Sequence, residues 1–150
     1  MVAGMLLIVL WLGLSGCTIT PLAPYDEAGV ARITEISKSV LAVYGDLLAV
    51  PEDKRRDTIV TSFKPRYAEI ETSMRLHLLR EQARGESNKE GIRIAENLIE
   101  TWVRIATQHA GDASGHLSSE QLIVERGLLE RHLLSAFTAE EARKLVTKAK

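Results

Sequence analysis

The sequence predicts an all-α fold, an up-and-down bundle of four main helices plus a short C-terminal helix. Three observations carry this. Apolar residues recur at helical spacing over long stretches, no stretch alternates apolar and polar residues as a strand would, and helix start and stop residues fall between the periodic stretches. The first helix is expected over Asp26–Val50, with Val30, Ile33, Val40, Leu41, Tyr44 and Leu48 on one stripe; Pro51 ends it. A second pattern runs over Thr58–Arg84 through Ile59, Phe63, Tyr67, Ile70, Met74 and Leu78. Pro65 lies inside it, so the segment is kinked there or a new helix begins there, and Gly85 is a plausible stop.

Ser87 and Glu90 form an S-x-x-E capping box, which predicts the start of a third helix. Its stripe is Ile92, Ala95, Leu98, Ile99, Trp102, Val103 and Ala106, and it ends near Gly111. Gly111–Gly115 reads as a loop. Ser118 with Gln121 opens a fourth helix, striped by Leu122, Leu129, Leu133 and Ala136. Thr138 with Glu141 is a third capping box, expected to open the short last helix with Ala142, Leu145, Val146 and Ala149 on one side.

The N-terminus has a different character. Residues 1–25 carry no charged side chain, and Met5–Leu14 is a ten-residue apolar run. That fits the apolar region of a signal peptide and falls short of the roughly 20 residues needed to span a bilayer. Leu14-Ser15-Gly16-Cys17 resembles the lipobox of bacterial lipoproteins, an apolar residue and two small ones before a cysteine. The resemblance implies that diacylglycerol is attached to the Cys17 thiol and that the chain is cut before it. Residues 1–16 would then be a signal peptide, 17–25 a lipidated cysteine with its tether, and 26–150 the bundle. Thr18 in place of Asp implies, by likeness to enterobacterial sorting, an outer-membrane protein facing the periplasm. A lipid anchor buries roughly 0.8 kcal/mol per methylene, and an eight-residue tether reaches about 25 Å.

Composition narrows the function classes. Nineteen Lys and Arg face twenty Asp and Glu, so no electrostatic reason points to nucleic acid. A single cysteine allows no internal disulfide. His77, His109, His116 and His132 lack metal-ligand spacing, and the Glu-x-x-His pattern of di-iron bundles is absent, so satisfied or solvated histidines are expected and no metal or cofactor. Ser114 in GDASG lacks the G-x-S-x-G arrangement of a nucleophile elbow. Lys54-Arg55-Arg56 is surrounded by Glu52, Asp53 and Asp57 and reads as a solvated helix start. Glu69, Glu71, Glu96 and Glu100 lie on charged helix faces with nothing to raise their pKa, so no catalytic residue is expected.

Surplus apolar residues are the remaining signal. Leu76 and Leu79 point away from the stripe of their helix, as do Val124, Leu128 and Leu134 from theirs. The favoured expectation is that the short C-terminal helix covers them; otherwise Leu76 and Leu79 are a partner contact. The resulting reading is a membrane-anchored envelope lipoprotein that holds or escorts another envelope protein without catalysis. Pilotins of secretion systems resemble it as a class, being helical lipoproteins of this general size, with no shared motif. The alternative is a bundle that binds a small ligand, a metal or haem.

Overall fold

In the computed structural model, residues 23–111 and 117–148 are described, and among them there is no strand. Four long helices form the fold: α1 (Glu27–Ala49), α2 (Lys64–Ala83), α3 (Lys89–Ala110) and α4 (Ser119–Lys148). Each packs against two others, in the ring α1–α2–α3–α4, with successive helices antiparallel. The expected signal peptide, Cys17, residues 112–115, His116 and Ala149 lie outside the described residues.

The start of α1 is set by Asp26, whose carboxylate accepts the Ala28 amide at 3.1 Å. Its buried face is Ile33, Ile36, Val40, Val43, Tyr44 and Leu47; Val30 and Leu48 are half-buried and Leu41 is exposed. The face is rotated from the stripe read in the sequence because apolar residues cover more than half the helix circumference. Periodicity alone then leaves the centre of the face undetermined. The chain is held to the bundle before α1 begins. Ala23 is buried, the Pro24 carbonyl accepts from Arg84, and the Asp26 amide donates to Glu140 at 3.1 Å.

After Pro51 the chain makes a single 3-10 turn, Glu52–Lys54, and then runs helically from Arg55 to Ala83 with a π turn at Ile59–Phe63. Pro65 explains the break. It lies in the first turn of α2, where its missing N–H costs little, and the wider π turn just before it absorbs the register change. The basic cluster is not uniformly solvated as expected. Lys54 is exposed, but Arg55 is buried. Its guanidinium donates to the carbonyls of Leu47 (3.0 Å), Val50 (2.9 Å) and Leu117 (2.8 Å) and to Ser119 Oγ (2.9 Å), tying the end of α1 to the start of α4. Carbonyl groups left open at a helix end are ready acceptors for such a fork of donors.

Gly85 stops the second helical run, with a φ of 78° that side chains disfavour. The Ser87/Glu90 capping box does not form. Helix α3 begins after Asn88, whose side chain is committed to Glu81, while Glu90 pairs with Arg93 at 2.7 Å. The Ser118 cap does form, accepting the Gln121 amide at 3.1 Å. The separate fifth helix is not seen. Residues Thr138–Lys148 continue α4 without a break, since no Gly or Pro interrupts them and the buried face proceeds through Leu133, Ala136, Glu140 and Arg143. Among the described residues nothing therefore folds back over the surplus leucines. Leu76 is 48% and Leu79 60% exposed. Ile123, Val124, Leu134, Leu145 and Val146 are also exposed, while Leu128 is half-buried.

Trp102 sits at the centre of the core with no exposed surface. Its indole donates to the Tyr67 carbonyl at 3.2 Å, and its ring stacks on Tyr67 with centroids 5.0 Å apart. On α3 the buried face includes Ile94, Ile105 and His109, whereas Ile92, Val103 and Ala106 are half-buried.

Candidate functional site

The bundle carries a buried polar layer to which each helix contributes one aromatic or acidic side chain. Tyr44 comes from α1, Tyr67 from α2, His109 from α3 and Glu125 from α4. His109 Nε2 lies 2.6 Å from Glu125 Oε2, and His109 Nδ1 lies 2.6 Å from the Tyr67 hydroxyl. An ionised carboxylate only accepts, so Nε2 carries the hydrogen toward Glu125; in the neutral ring Nδ1 then accepts from the Tyr67 hydroxyl. Gln121 donates to the other Glu125 oxygen at 2.8 Å. Burial pushes the Glu125 carboxyl up, but the hydrogen bonds from His109 and Gln121 outweigh it and hold it below its ordinary value. Burial raises both Tyr44 and Tyr67, so both phenols stay protonated at neutral pH. The Tyr44 ring meets His109 edge-on at 6.4 Å, and its buried hydroxyl faces Glu125 without a hydrogen bond of ordinary geometry among the described residues.

Above this layer is an open groove of about 540 Å³ between the Arg55–Ala83 run and α3. Ile59 and Val60 of the π turn, Tyr67, Val103, Ala106 and Ala110 form apolar walls, with Lys64 and Glu71 along the α2 side. Glu71 pairs with Arg75 at 2.7 Å, while no ion pair to Lys64 occurs among the described residues. The ring of Tyr67 belongs to both features. Its face stacks on Trp102, and its hydroxyl is turned inward to His109 and away from acid–base work in the groove. The layer thus fixes the groove wall and presents no activated nucleophile to it.

A second polar cluster closes the opposite end of the bundle. Glu81, Asn88, Glu140 and Arg143 are buried there, with Arg84 largely so. Arg84 pairs with Glu81 at 3.1 Å and also with Glu140; Arg143 reaches Glu140, Asn88 and, at 3.5 Å, Glu81. Asp26 is held down to about 2 by its hydrogen bonds from Arg80, although burial opposes this. His77 is buried beside this cluster, its Nδ1 without a hydrogen-bond partner among the described residues, and burial pushes it toward the neutral form.

Of the three described histidines, His77 and His109 are core residues. His132 is half-buried and bonds Thr101 at 3.2 Å. Glu69, Glu96 and Glu100 are exposed, and no cluster of three or more metal-ligating side chains lies among the described residues. Leu76 and Leu79 lie outside the groove, on the solvent face of α2. Sequence reasoning passed over Glu81, Glu125, Glu140 and Arg143. A signal was present, since each falls on the apolar stripe of its helix: Met74 to Glu81 is two turns, and Leu122–Glu125–Leu129 and Ala136–Glu140–Arg143 keep the three-and-four spacing. Compared with known proteins, the chain matches no family model, no curated protein and no solved structure.

Proposed function

We propose that this chain is an envelope lipoprotein, held on a membrane by lipid on Cys17, that binds another envelope protein without catalysis. The groove between the Arg55–Ala83 run and α3 is its seat for an apolar segment of that partner. The observation that carries this reading is the groove itself: an open apolar concavity whose wall is fixed from beneath by stacked and hydrogen-bonded side chains. Lys64, at its edge, favours a segment that also carries an acidic residue, because a charge partner there supplies orientation. The lipobox at Leu14–Cys17 supports the anchor, and Thr18 supports an outer-membrane address facing the periplasm.

The test is a photo-crosslinking residue in place of Val60, which lines the groove and is 58% exposed, in cells making the full chain. The expected result is one defined envelope-protein adduct that disappears when Ala106→Leu narrows the groove. Adducts that persist in that variant, or that form equally from exposed Leu41 on α1, would remove the groove from the account. A small apolar ligand is a second reading, favoured by the groove's volume, which falls within the range of small-molecule sites. It would show as a molecule co-purifying with the chain and lost in Ala106→Leu.

A further inference from the structure

We infer that α4 is an interface between two copies of this chain, packed antiparallel about a two-fold axis at Leu134. Ile123, Leu134 and Leu145 are 51%, 64% and 70% exposed. They are eleven residues apart, three helical turns with a drift of only about 20° per step, so they fall on one line along the outer face of α4. Over the 22 residues from Ile123 to Leu145 that line is about 33 Å long.

The face is complementary to itself when the second copy runs the other way. With Leu134 on the axis, Ile123 meets the partner's Leu145, and Leu134 meets the partner's Leu134. The same register sets Glu120, in the first turn of α4, against the partner's Lys148 in the last turn. Neither residue has an ion pair among the described residues. Between these contacts, Glu130 faces the partner's Thr138 and Glu141 faces the partner's Gly127, whose outer side is open space. No like charges stand opposite one another. A parallel pairing would put Glu120, Glu130 and Glu141 each against its own copy, and like charges so placed oppose association. Charge therefore selects the antiparallel arrangement, and an isologous contact of this kind closes on a dimer.

The inference does not rest on the lipid anchor. If Cys17 is lipidated, the chain enters each bundle beside Glu140, six residues or about 9 Å along α4 from the axis, so both anchors reach one membrane when the two-fold axis stands normal to it and α4 lies along its surface.

The test is cysteine cross-linking with a short bis-maleimide in membranes from cells making the full chain, with the unsubstituted chain as the control for Cys17. Leu134→Cys should give a covalent dimer. Ile123→Cys alone should give none, while cells making Ile123→Cys and Leu145→Cys copies together should give one. Leu134→Arg should convert the dimer to monomer in sedimentation while keeping the helical circular-dichroism spectrum, and its urea midpoint should no longer rise with protein concentration as that of the dimer does. A chain that sediments as a monomer, or Leu134→Cys that yields no dimer, overturns the proposal. So does self-linking of Ile123→Cys, which would mean parallel packing.

Discussion

Replacing Gly91 by Ala should destabilise the protein, although the same change in most helices stabilises it. Gly91 lies in the first turn of α3 and is buried. A Cβ there would fall 2.7 Å from Arg143 Nη2 and from Asn88 Oδ1, and closer still to Glu81 Oε2. All three atoms are ends of flexible side chains, which elsewhere would swing aside. Here Glu81, Asn88 and Arg143 are at most 5% exposed and bonded to one another, so swinging one aside strands a buried partner. Gly→Ala in a helix gains about 1 kcal/mol. Overpacking a filled site costs about 1–3 kcal/mol, and breaking a buried ion pair costs about 3–5 kcal/mol when nothing relaxes. With partial relaxation, a net loss of about 1–3 kcal/mol is expected by urea denaturation. Gly45, on the solvent side of α1 with nothing within 4 Å of the added carbon, is the internal reference and should gain about 0.5–1 kcal/mol. If Gly91→Ala and Gly45→Ala stabilise equally, the cluster is not the rigid, mutually bonded group described.

Four further outcomes are expected. Trp102→Ala removes a fully buried ring and should cost about 3–5 kcal/mol in urea unfolding; a loss near 1 kcal/mol would contradict its central place. Tyr44→Phe deletes a buried hydroxyl that faces Glu125 without a hydrogen bond of ordinary geometry, so stability should stay level or rise, and a loss above about 1 kcal/mol would mean that the hydroxyl bonds Glu125. Asp26 has its folded pKa lowered from 3.8 to about 2, so its stabilisation is fully present above the unfolded value and is lost as pH falls toward about 2. Asp26→Asn should therefore flatten that part of the acid-unfolding curve, and an unchanged curve would show that the Arg80 pair does not matter. Leu76→Ser with Leu79→Ser should shift stability by less than about 1 kcal/mol, since both are exposed; unfolding of the double variant would place them in the core.

Much of the helix content was legible in the sequence because helix length and stop signals are local properties. Pro51, Gly85 and Ser118 act where they stand, on backbone groups within a turn of themselves. The errors arose where a local signal met a longer-range demand. The Ser87/Glu90 box was outbid by Asn88, whose side chain serves Glu81 seven residues back and Arg143 fifty-five residues ahead. The Thr138/Glu141 box sits in a helix that continues, because the face opposite Thr138 is already buried through Ala136 and Glu140. Of the candidate site, His109 was visible on its stripe, but the partners that give it meaning were not. Tyr67 and Glu125 lie 42 residues before it and 16 after it, and only the packing of three helices brings them together. Arg55 was hidden by its acidic neighbours, since its role is set by carbonyls at the ends of two other segments.

The central claim, that this bundle is held on a membrane by lipid on Cys17, has one direct measurement. It is the intact mass and N-terminal peptide of the protein recovered from the membrane fraction of cells making the full chain. The account expects a mature chain that begins at Cys17 and carries diacylglycerol, and an unlipidated, membrane-released form from Cys17→Ser. A chain that retains Met1, or one cut elsewhere with a free Cys17 thiol, would contradict it.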